Sequence, residues 1–276
     1  MANFTGPSFT VLTYNINDDC VSDRHPAEWS MRLQHQKLAE FILEHRPDLL
    51  CLQECFAGIP ANASLKEAYE FCTVAVPSHR GSCMIARRRD SPLELLAEPP
   101  PCAVGPCLVL RLRLGGQALT AACAHLAPFE EYAPKRQQQI ARIVAAAPAD
   151  VPLLLAGDMN MREKETPAAG EAGLLDAWVE AGSPPDQRWT WDTRTNKYYD
   201  GGREYTARYD RILYRGCHVG GLRVTANTPA SASRHHFLSD HFALLATVTL
   251  PEPPPQRAQQ LPAGVQQQAG PGPENA

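Results

Sequence analysis

A four-layer α/β sandwich, two mixed β-sheets flanked by helices, is the architecture this sequence predicts. Two observations carry it: two stretches each read strand, helix, strand, and the segments between and after them read as further strands with few helices. In the first unit, residues 9–14 form an apolar strand. Residues 27–44 then set Met31, Leu33, Leu38, Phe41 and Ile42 at helical spacing, and residues 49–52 form a short, fully apolar strand. In the second unit, residues 118–124 are a strand, residues 133–147 a helix with Ile140, Ile143 and Val144 on one face, and residues 151–156 a second apolar strand.

Between the units, residues 72–76, 82–87 and 108–114 read as antiparallel strands around the Pro-rich stretch 92–106. After the second unit, residues 174–181 read as a short helix, 208–214 and 221–224 as strands, and 242–250 as the last strand. One folded domain is therefore expected over residues 1–250. Residues 251–276 are rich in Pro, Gln and Gly and too polar to bury a core, so they are expected to be a disordered tail open to protein partners.

Composition narrows the function classes. With 276 residues, 44% hydrophobic and 20% charged, the chain has the make-up of an ordinary globular protein. A formal net charge of −4 argues against coating long stretches of nucleic acid, which wants a basic surface. No apolar run is long enough to span a bilayer, and the opening residues lack a basic region followed by an apolar stretch. A monomer inside the cell, nuclear or cytoplasmic, neither secreted nor membrane-bound, is the expectation. The nine cysteines then read as reduced thiols, with Cys51 and Cys123 as small core residues inside strands.

The polar residues that interrupt the apolar pattern fall at strand ends. The first strands of the two units end in Asn15 and His125, and the second strands end in Glu54 and Asp158. Ligands of α/β sheets collect beyond the carboxyl ends of strands, so these four define one rim. Gly157-Asp158-Met159-Asn160 presents an acid that can orient or deprotonate water, with an amide two residues on; a turn in which both cap their own backbone is the competing use. Glu54 follows four apolar positions, where a lone charge must be paired, metal-bound or solvated. Ser239-Asp240-His241, before the last strand, supplies an oxygen ligand suited to magnesium and an imidazole for phosphoryl charge, or else a surface turn. Together these groups suggest a metal-dependent phosphoesterase.

Thr13-Tyr14-Asn15-Ile16, Leu52-Gln53-Glu54, Gly157-Asp158-Met159-Asn160 and Ser239-Asp240-His241 resemble, in order, the four signature segments of the endonuclease/exonuclease/phosphatase superfamily. The resemblance implies Glu54 and Asp240 as ligands of Mg²⁺, with Mn²⁺ a possible substitute, and Asn15, His125, Asp158, Asn160 and His241 as catalytic groups. It adds Asp210, in Tyr209-Asp210-Arg211-Ile212, as the acid that orients His241. Within the superfamily, Trp189-Thr190-Trp191-Asp192-Thr193, Asn160-Met161-Arg162 and Arg208-Tyr209-Asp210-Arg211-Ile212 are similar to the tyrosyl-DNA phosphodiesterase 2 branch. That likeness implies Arg162, Trp191 and Arg208 as substrate-binding residues, 5′-phosphotyrosyl DNA ends as the partner, and DNA repair as the role. Abasic-site cleavage, deadenylation and inositol-phosphate hydrolysis use the same site and are the alternatives, with an inactive scaffold binding nucleic-acid ends as the rival of another class. Pro128 stands where a serine of the branch would touch the substrate phosphate.

The loop 183–209 interleaves Trp189, Trp191, Tyr198, Tyr199, Tyr205 and Tyr209 with arginines and Lys197, which suits single-stranded nucleic acid; aromatic anchors pinning a long loop are the other reading. His235 and His236 read as surface residues, and Arg87-Arg88-Arg89-Asp90 as a solvated hairpin end.

Overall fold

Each strand–helix–strand unit pairs its own two strands in parallel and lays its helix across the outer face of its sheet. A computed structural model describes residues 4–17, 29–56, 58–72, 82–98, 100–198 and 202–252. In chain order the elements are β1 (Ser8–Asn15), α1 (Met31–His45), β2 (Leu49–Cys55), α2 (Gly58–Ala61), α3 (Ala63–Ala68), β3 (Tyr69–Cys72), β4 (Ser82–Arg88), β5 (Glu94–Leu95), β6 (Cys102–Val104), β7 (Cys107–Leu114) and β8 (Gln117–His125). They continue with α4 (Ala133–Ala146), β9 (Leu153–Asp158), α5 (Thr166–Glu171), β10 (Leu175–Asp176), α6 (Ala177–Glu180), β11 (Trp191–Asp192), β12 (Thr206–Ala207), β13 (Asp210–Arg215), β14 (His218–Thr225) and β15 (Ala243–Thr249).

One sheet runs β14-β15-β1-β2-β4-β3 and the other β10-β13-β9-β8-β7-β5, with β6 also on β7. The only parallel pairs among the described strands are β1 with β2 and β8 with β9, the two predicted units. Period-two alternation sorts the apolar residues into layers. Val11, Cys51, Ile85, Leu110, Cys123, Leu154, Ile212 and Ala246 meet between the sheets. Leu12, Tyr14, Leu50 and Leu52 point the other way, onto Leu38 and Ile42 of α1. Ala122, Ala124 and Leu155 pack on Ile140 and Ile143 of α4. Helix, sheet, sheet and helix are the four predicted layers, and Cys51 and Cys123 lie fully buried between the two sheets.

Local chemistry moves several boundaries. Helix α1 starts at Met31 because Ser30 caps it, its hydroxyl accepting from Leu33 N at 3.3 Å, and it ends where Arg46 turns left-handed at φ 45°. The helix expected over 174–181 splits: Leu175 and Asp176 pair with the edge of β13, and the Asp176 carboxylate then caps α6 by accepting from Trp178 N. The Pro-rich stretch 92–106 holds two short edge strands, β5 and β6, the sheet position that tolerates proline. In place of the strand expected over 72–76 the chain pairs Tyr69–Cys72 with β4, and residues 73–76 lie outside the described residues, as does the tail from residue 253. Among the described residues no helix is long and apolar enough to cross a membrane.

The turn that ends β9 depends on a glycine. A Cβ at Gly157, where φ is +149°, would lie 2.0 Å from the Ala124 carbonyl oxygen and 2.8 Å from its nitrogen, and both belong to the adjacent strand. Gly157→Ala is therefore expected to cost about 3 kcal/mol or more, at the upper end of single substitutions. The shift of the urea unfolding midpoint measures it, and a midpoint like the parent's contradicts the contact.

Candidate active site

Strand parity carries the predicted polar residues to one end of the inter-sheet layer. Leu154 and Ala156 of β9 pack between the sheets, so Asp158 faces the same way; Ala121 and Cys123 do the same for His125 on β8, and Tyr214 and Ile212 for Asp210 on β13. Register aligns them, because His125 pairs with Asp158 and Asp158 with Asp210 on three adjacent strands. From the opposite sheet, Asn15 at the end of β1 donates its amide to Asp158 Oδ2 at 3.1 Å and to Glu54 Oε1 at 3.2 Å.

Glu54 arrives by a different device. Cys51 faces the other sheet and Leu52 faces α1, so strict alternation would turn Glu54 outward with Leu52. A pairing irregularity between Leu52 and Cys55 and a left-handed backbone at Glu54, φ 50°, return its side chain to the cavity. A bulge that re-aims one side chain is a common device beside sites. Asn160 is also left-handed, at φ 50°; its backbone nitrogen donates to Asp158 Oδ1 at 2.9 Å and its amide to Asp158 Oδ2 at 3.2 Å. The turn use and the site use of this pair are thus one arrangement.

The Ser239–His241 turn is pinned from several sides. Ser239 Oγ donates to Asn15 O at 2.7 Å, and the amides of Asn196 and Gln34 donate to Ser239 O and Leu238 O. Asn17 donates its amide to Asp240 Oδ1 at 2.8 Å. Asp240 and His241 are buried, so this is no surface turn. His241 Nδ1 donates to Asp210 Oδ2 at 2.8 Å, its Nε2 lies 3.8 Å from Asp158 Oδ2, and the Trp191 ring meets it edge-on with centroids 4.8 Å apart. His125 Nε2 stands 3.6 Å from both Glu54 Oε1 and Asp158 Oδ2.

These groups floor a cavity of about 480 Å³ whose walls are Pro128, Phe129, Arg162, Trp191, Tyr205 and Tyr209. The floor carries an excess of acid. Burial pushes Glu54 above the usual carboxylate range, against the pull of His125 and the Asn15 hydrogen bond, and Asp240 adds to the rise. Burial likewise raises Asp210, with the His241 charge pulling it back. For His241, burial favours the neutral ring, but the charge and hydrogen bond of Asp210, with Asp158 and Asp240 beyond, outweigh it and push the imidazole up to about 10. The pair thus favours the protonated ring.

Eight predicted residues, Asn15, Glu54, His125, Asp158, Asn160, Asp210, Asp240 and His241, therefore meet at one end of the sandwich. Arg162 and Trp191 join them on the wall, the Arg162 guanidinium lying 4.7 Å from the centre of the Tyr209 ring. Arg208 does not. It is 3% exposed, donates to both oxygens of Asp176 at 2.7 and 2.9 Å and lies over Trp178, so a buried acid on β10 has drawn it away from the cavity. His236 is also corrected: it is buried, stacked on Trp29 with centroids 4.7 Å apart. Tyr198 is a loop anchor, buried and bonded to Gln34, Tyr205 and Tyr209 are pocket wall, and Tyr199 lies outside the described residues. Arg87 and Arg88 are paired with Glu70 and Asp48 rather than freely solvated. Sequence reasoning passed over Thr190, whose hydroxyl accepts from Tyr209 N and Asp210 N, and Phe129, which follows Pro128 but was not itself singled out.

Comparison with known proteins places the chain in a family. The profile of the Endonuclease/Exonuclease/phosphatase family matches residues 12–241. The chain is 26% identical over 253 residues to tyrosyl-DNA phosphodiesterase 2 of Xenopus laevis, covering 86% of this chain and 65% of that protein. Over 141 residues it is 31% identical to the 5′-tyrosyl-DNA phosphodiesterase of Caenorhabditis briggsae, 49% of this chain and 40% of that one. It thus spans about two thirds of the Xenopus relative's length. The crystal structure of Danio rerio TDP2 complexed with single strand DNA product superposes with a TM-score of 0.68 at 19% identity, covering 87% of this chain and 98% of that one.

The His241–Asp210 pair has a measurable consequence. Its contribution to stability is fully present below the ordinary histidine value of about 6.5 and is lost as pH rises through about 10. In metal-free protein, ring ¹⁵N shifts should report an imidazolium at pH 8, and Asp210→Asn should let burial win and leave the ring neutral there. A neutral ring in the parent at pH 8 contradicts the assignment.

Proposed function

Because this chain belongs to the endonuclease/exonuclease/phosphatase family, we propose that it is a magnesium-dependent phosphodiesterase that hydrolyses the bond between a 5′ DNA phosphate and a tyrosine. Such a bond is the linkage left by a trapped topoisomerase, and its removal is a repair reaction inside the cell. The observation that carries the reading is the convergence, on one cavity floor, of a hydrogen-bonded Asp158, a His241 held by Asp210 and the two further carboxylates Glu54 and Asp240. The names of the Xenopus and Caenorhabditis relatives and the DNA product held by the Danio rerio structure support the substrate.

Glu54 and Asp240 are the residues that would hold Mg²⁺, or Mn²⁺ in its place. Both are hard oxygen donors lining the cavity, and Glu54 is raised by burial and by Asp240, so the pair is short of positive charge. Among the described residues no group of three His, Cys, Asp or Glu forms a cage, and two carboxylates completed by water and substrate phosphate is the set magnesium commonly uses. The chemistry supplied on binding is neutralisation of the scissile phosphate and of the departing oxygen.

The chain's own groups do the rest. Asp158, fixed by Asn15 and Asn160, orients a water and accepts its proton as the water oxygen bonds to phosphorus. The tyrosyl oxygen leaves as that bond forms, giving a 5′ phosphate and free tyrosine. His241, held by Asp210, donates to a phosphoryl oxygen where negative charge grows, with His125 as a second donor, while Asn15 acts from behind by holding Asp158 and Glu54. Arg162 and Trp191 on the wall hold the nucleotide side of the substrate by charge and stacking.

Purified protein with Mg²⁺ or EDTA on 5′-phosphotyrosyl DNA, abasic duplex, poly(A) and a phosphoinositide tests the proposal. Metal-dependent release of tyrosine is expected, and cleavage of the abasic duplex alone overturns the substrate. Asp158→Asn and His241→Ala should each lower kcat by about two to four orders of magnitude, the range for general acid–base and charge-stabilising groups. Near-parental turnover by Asp158→Asn sinks its role.

A further inference from the structure

Two of the most exposed aromatic rings stand side by side at the mouth of the cavity. Phe129 lines the cavity wall and is 54% exposed; Tyr132, one helical step on, is 43% exposed, with ring centroids 6.5 Å apart. The Lys135 ammonium lies 5.6 Å from the centre of the Tyr132 ring, and Arg162 shares the cavity wall with Phe129. Of the two acids between the rings in sequence, Glu130 pairs with Lys164, and Glu131 is exposed.

The exposure of Phe129 is imposed. Its backbone sits at φ 67°, ψ 154°, a region that essentially only glycine occupies without cost. Arg136, fully buried on α4, holds it there: its Nη1 donates to Ala127 O at 2.8 Å and to Phe129 O at 2.6 Å. Its Nε and Nη2 grip Glu165 in a bidentate pair, and Glu165 Oε1 accepts from Arg162 N at 2.9 Å. One buried cation therefore fixes both the strained aromatic and the backbone of the wall arginine.

Resting on the phosphodiesterase reading above, we infer that Phe129 and Tyr132, flanked by Arg162 and Lys135, form a stacking track for the unpaired bases of the DNA strand whose 5′ end occupies the cavity. Neighbouring rings with basic groups beside them are what single-stranded nucleic acid uses, bases on ring faces and phosphates on the cations. The track is continuous with the cavity because Phe129 belongs to both.

Binding of 5′-phosphorylated deoxyadenylates of one to six nucleotides, carrying a 3′ fluorophore, to the 276-residue chain in EDTA tests the track. Phe129→Gly and Tyr132→Ala should each weaken binding of the hexamer about tenfold and together about a hundredfold, while Tyr132→Phe, which keeps the ring, stays near the parent. Phe129→Gly also removes the backbone strain, so its thermal midpoint should be no lower than the parent's and a folding defect is separable from a lost contact. A double variant that binds the hexamer like the parent overturns the track. So does a loss as large on the mononucleotide as on the hexamer, because the rings would then face only the terminal nucleotide. Ring-dependent binding in a protein that releases no tyrosine from 5′-phosphotyrosyl DNA upholds the track and overturns the substrate assignment alone.

Discussion

A carboxylate between two sheets has to be surrounded by donors, and the catalytic end of this molecule is built around meeting that demand for Asp158. An unpaired buried charge would cost several kcal/mol or would neutralise itself. Asp158 Oδ1 accepts from the backbone of Asn160, and Oδ2 accepts from the amides of Asn15 and Asn160 and lies 3.6 and 3.8 Å from the imidazoles of His125 and His241. The donors come from β1, β8, the turn after β9 and the turn before β15. Both strand–helix–strand units and the closing strand must therefore be in place before this acid is satisfied. The same requirement draws in Ser239, which ties the last turn to Asn15, and Thr190, which accepts from Asp210 N.

Behind the floor, ion pairs act as braces. Arg136 with Glu165, and Arg208 and Arg211 with Asp176, are buried pairs that contribute little net stability but are costly to break by halves. Their value here is geometric. The first pins the loops that carry Phe129 and Arg162. The second gathers β10, β13 and the segment before β13, and so fixes the base of the strand on which Asp210 sits. Burial also lowers Arg211 to about 10, with the neighbouring Arg208 adding to the fall and Asp176 opposing it, as expected where two cations share one acid.

What could be read in advance follows from which residues are governed by periodicity. His125 and Asp158 each continue an apolar alternation by one inward position, and Asn15 continues that of Phe9 and Val11 by way of Thr13, so strands ending in a polar residue were enough to find them. Parity alone would have sent Glu54 to the wrong face. Its identification rested on the cost of a lone charge after an apolar run, and the bulge that rescues it leaves no mark in composition. Arg208 shows the limit on the other side: a loop arginine two residues before Asp210 looks like a substrate contact until Asp176, distant in sequence, is seen to hold both of its Nη1 bonds. Phe129 carried no signal, because its exposure depends on a single arginine reaching two carbonyls across a loop. His236 looked like surface because Trp29, its stacking partner, lies far from it in sequence.

Strain in this protein is placed where function needs it. Among the described non-glycine residues with positive φ, Asn17, Glu54, Phe129 and Asn160 all line the one cavity, whereas Arg46 ends a helix and Ser183 and Ala226 lie in loops. Asparagine tolerates the left-handed region at small cost, so Asn17 and Asn160 are inexpensive, but Glu54 and Phe129 each store on the order of 1–3 kcal/mol. Such conformations persist only where surrounding contacts over-determine them. For Phe129 the contact is Arg136, and for Glu54 it is the Asn15 amide together with the pairing of Cys55 to Ser82 beyond the bulge. The sandwich supplies rigid strands on both sides of the bulge, and that rigidity lets an energetically unfavourable backbone hold a carboxylate at the cavity floor. A relaxed, regular β2 would be the more stable strand, and it would point Glu54 at α1, away from any phosphate.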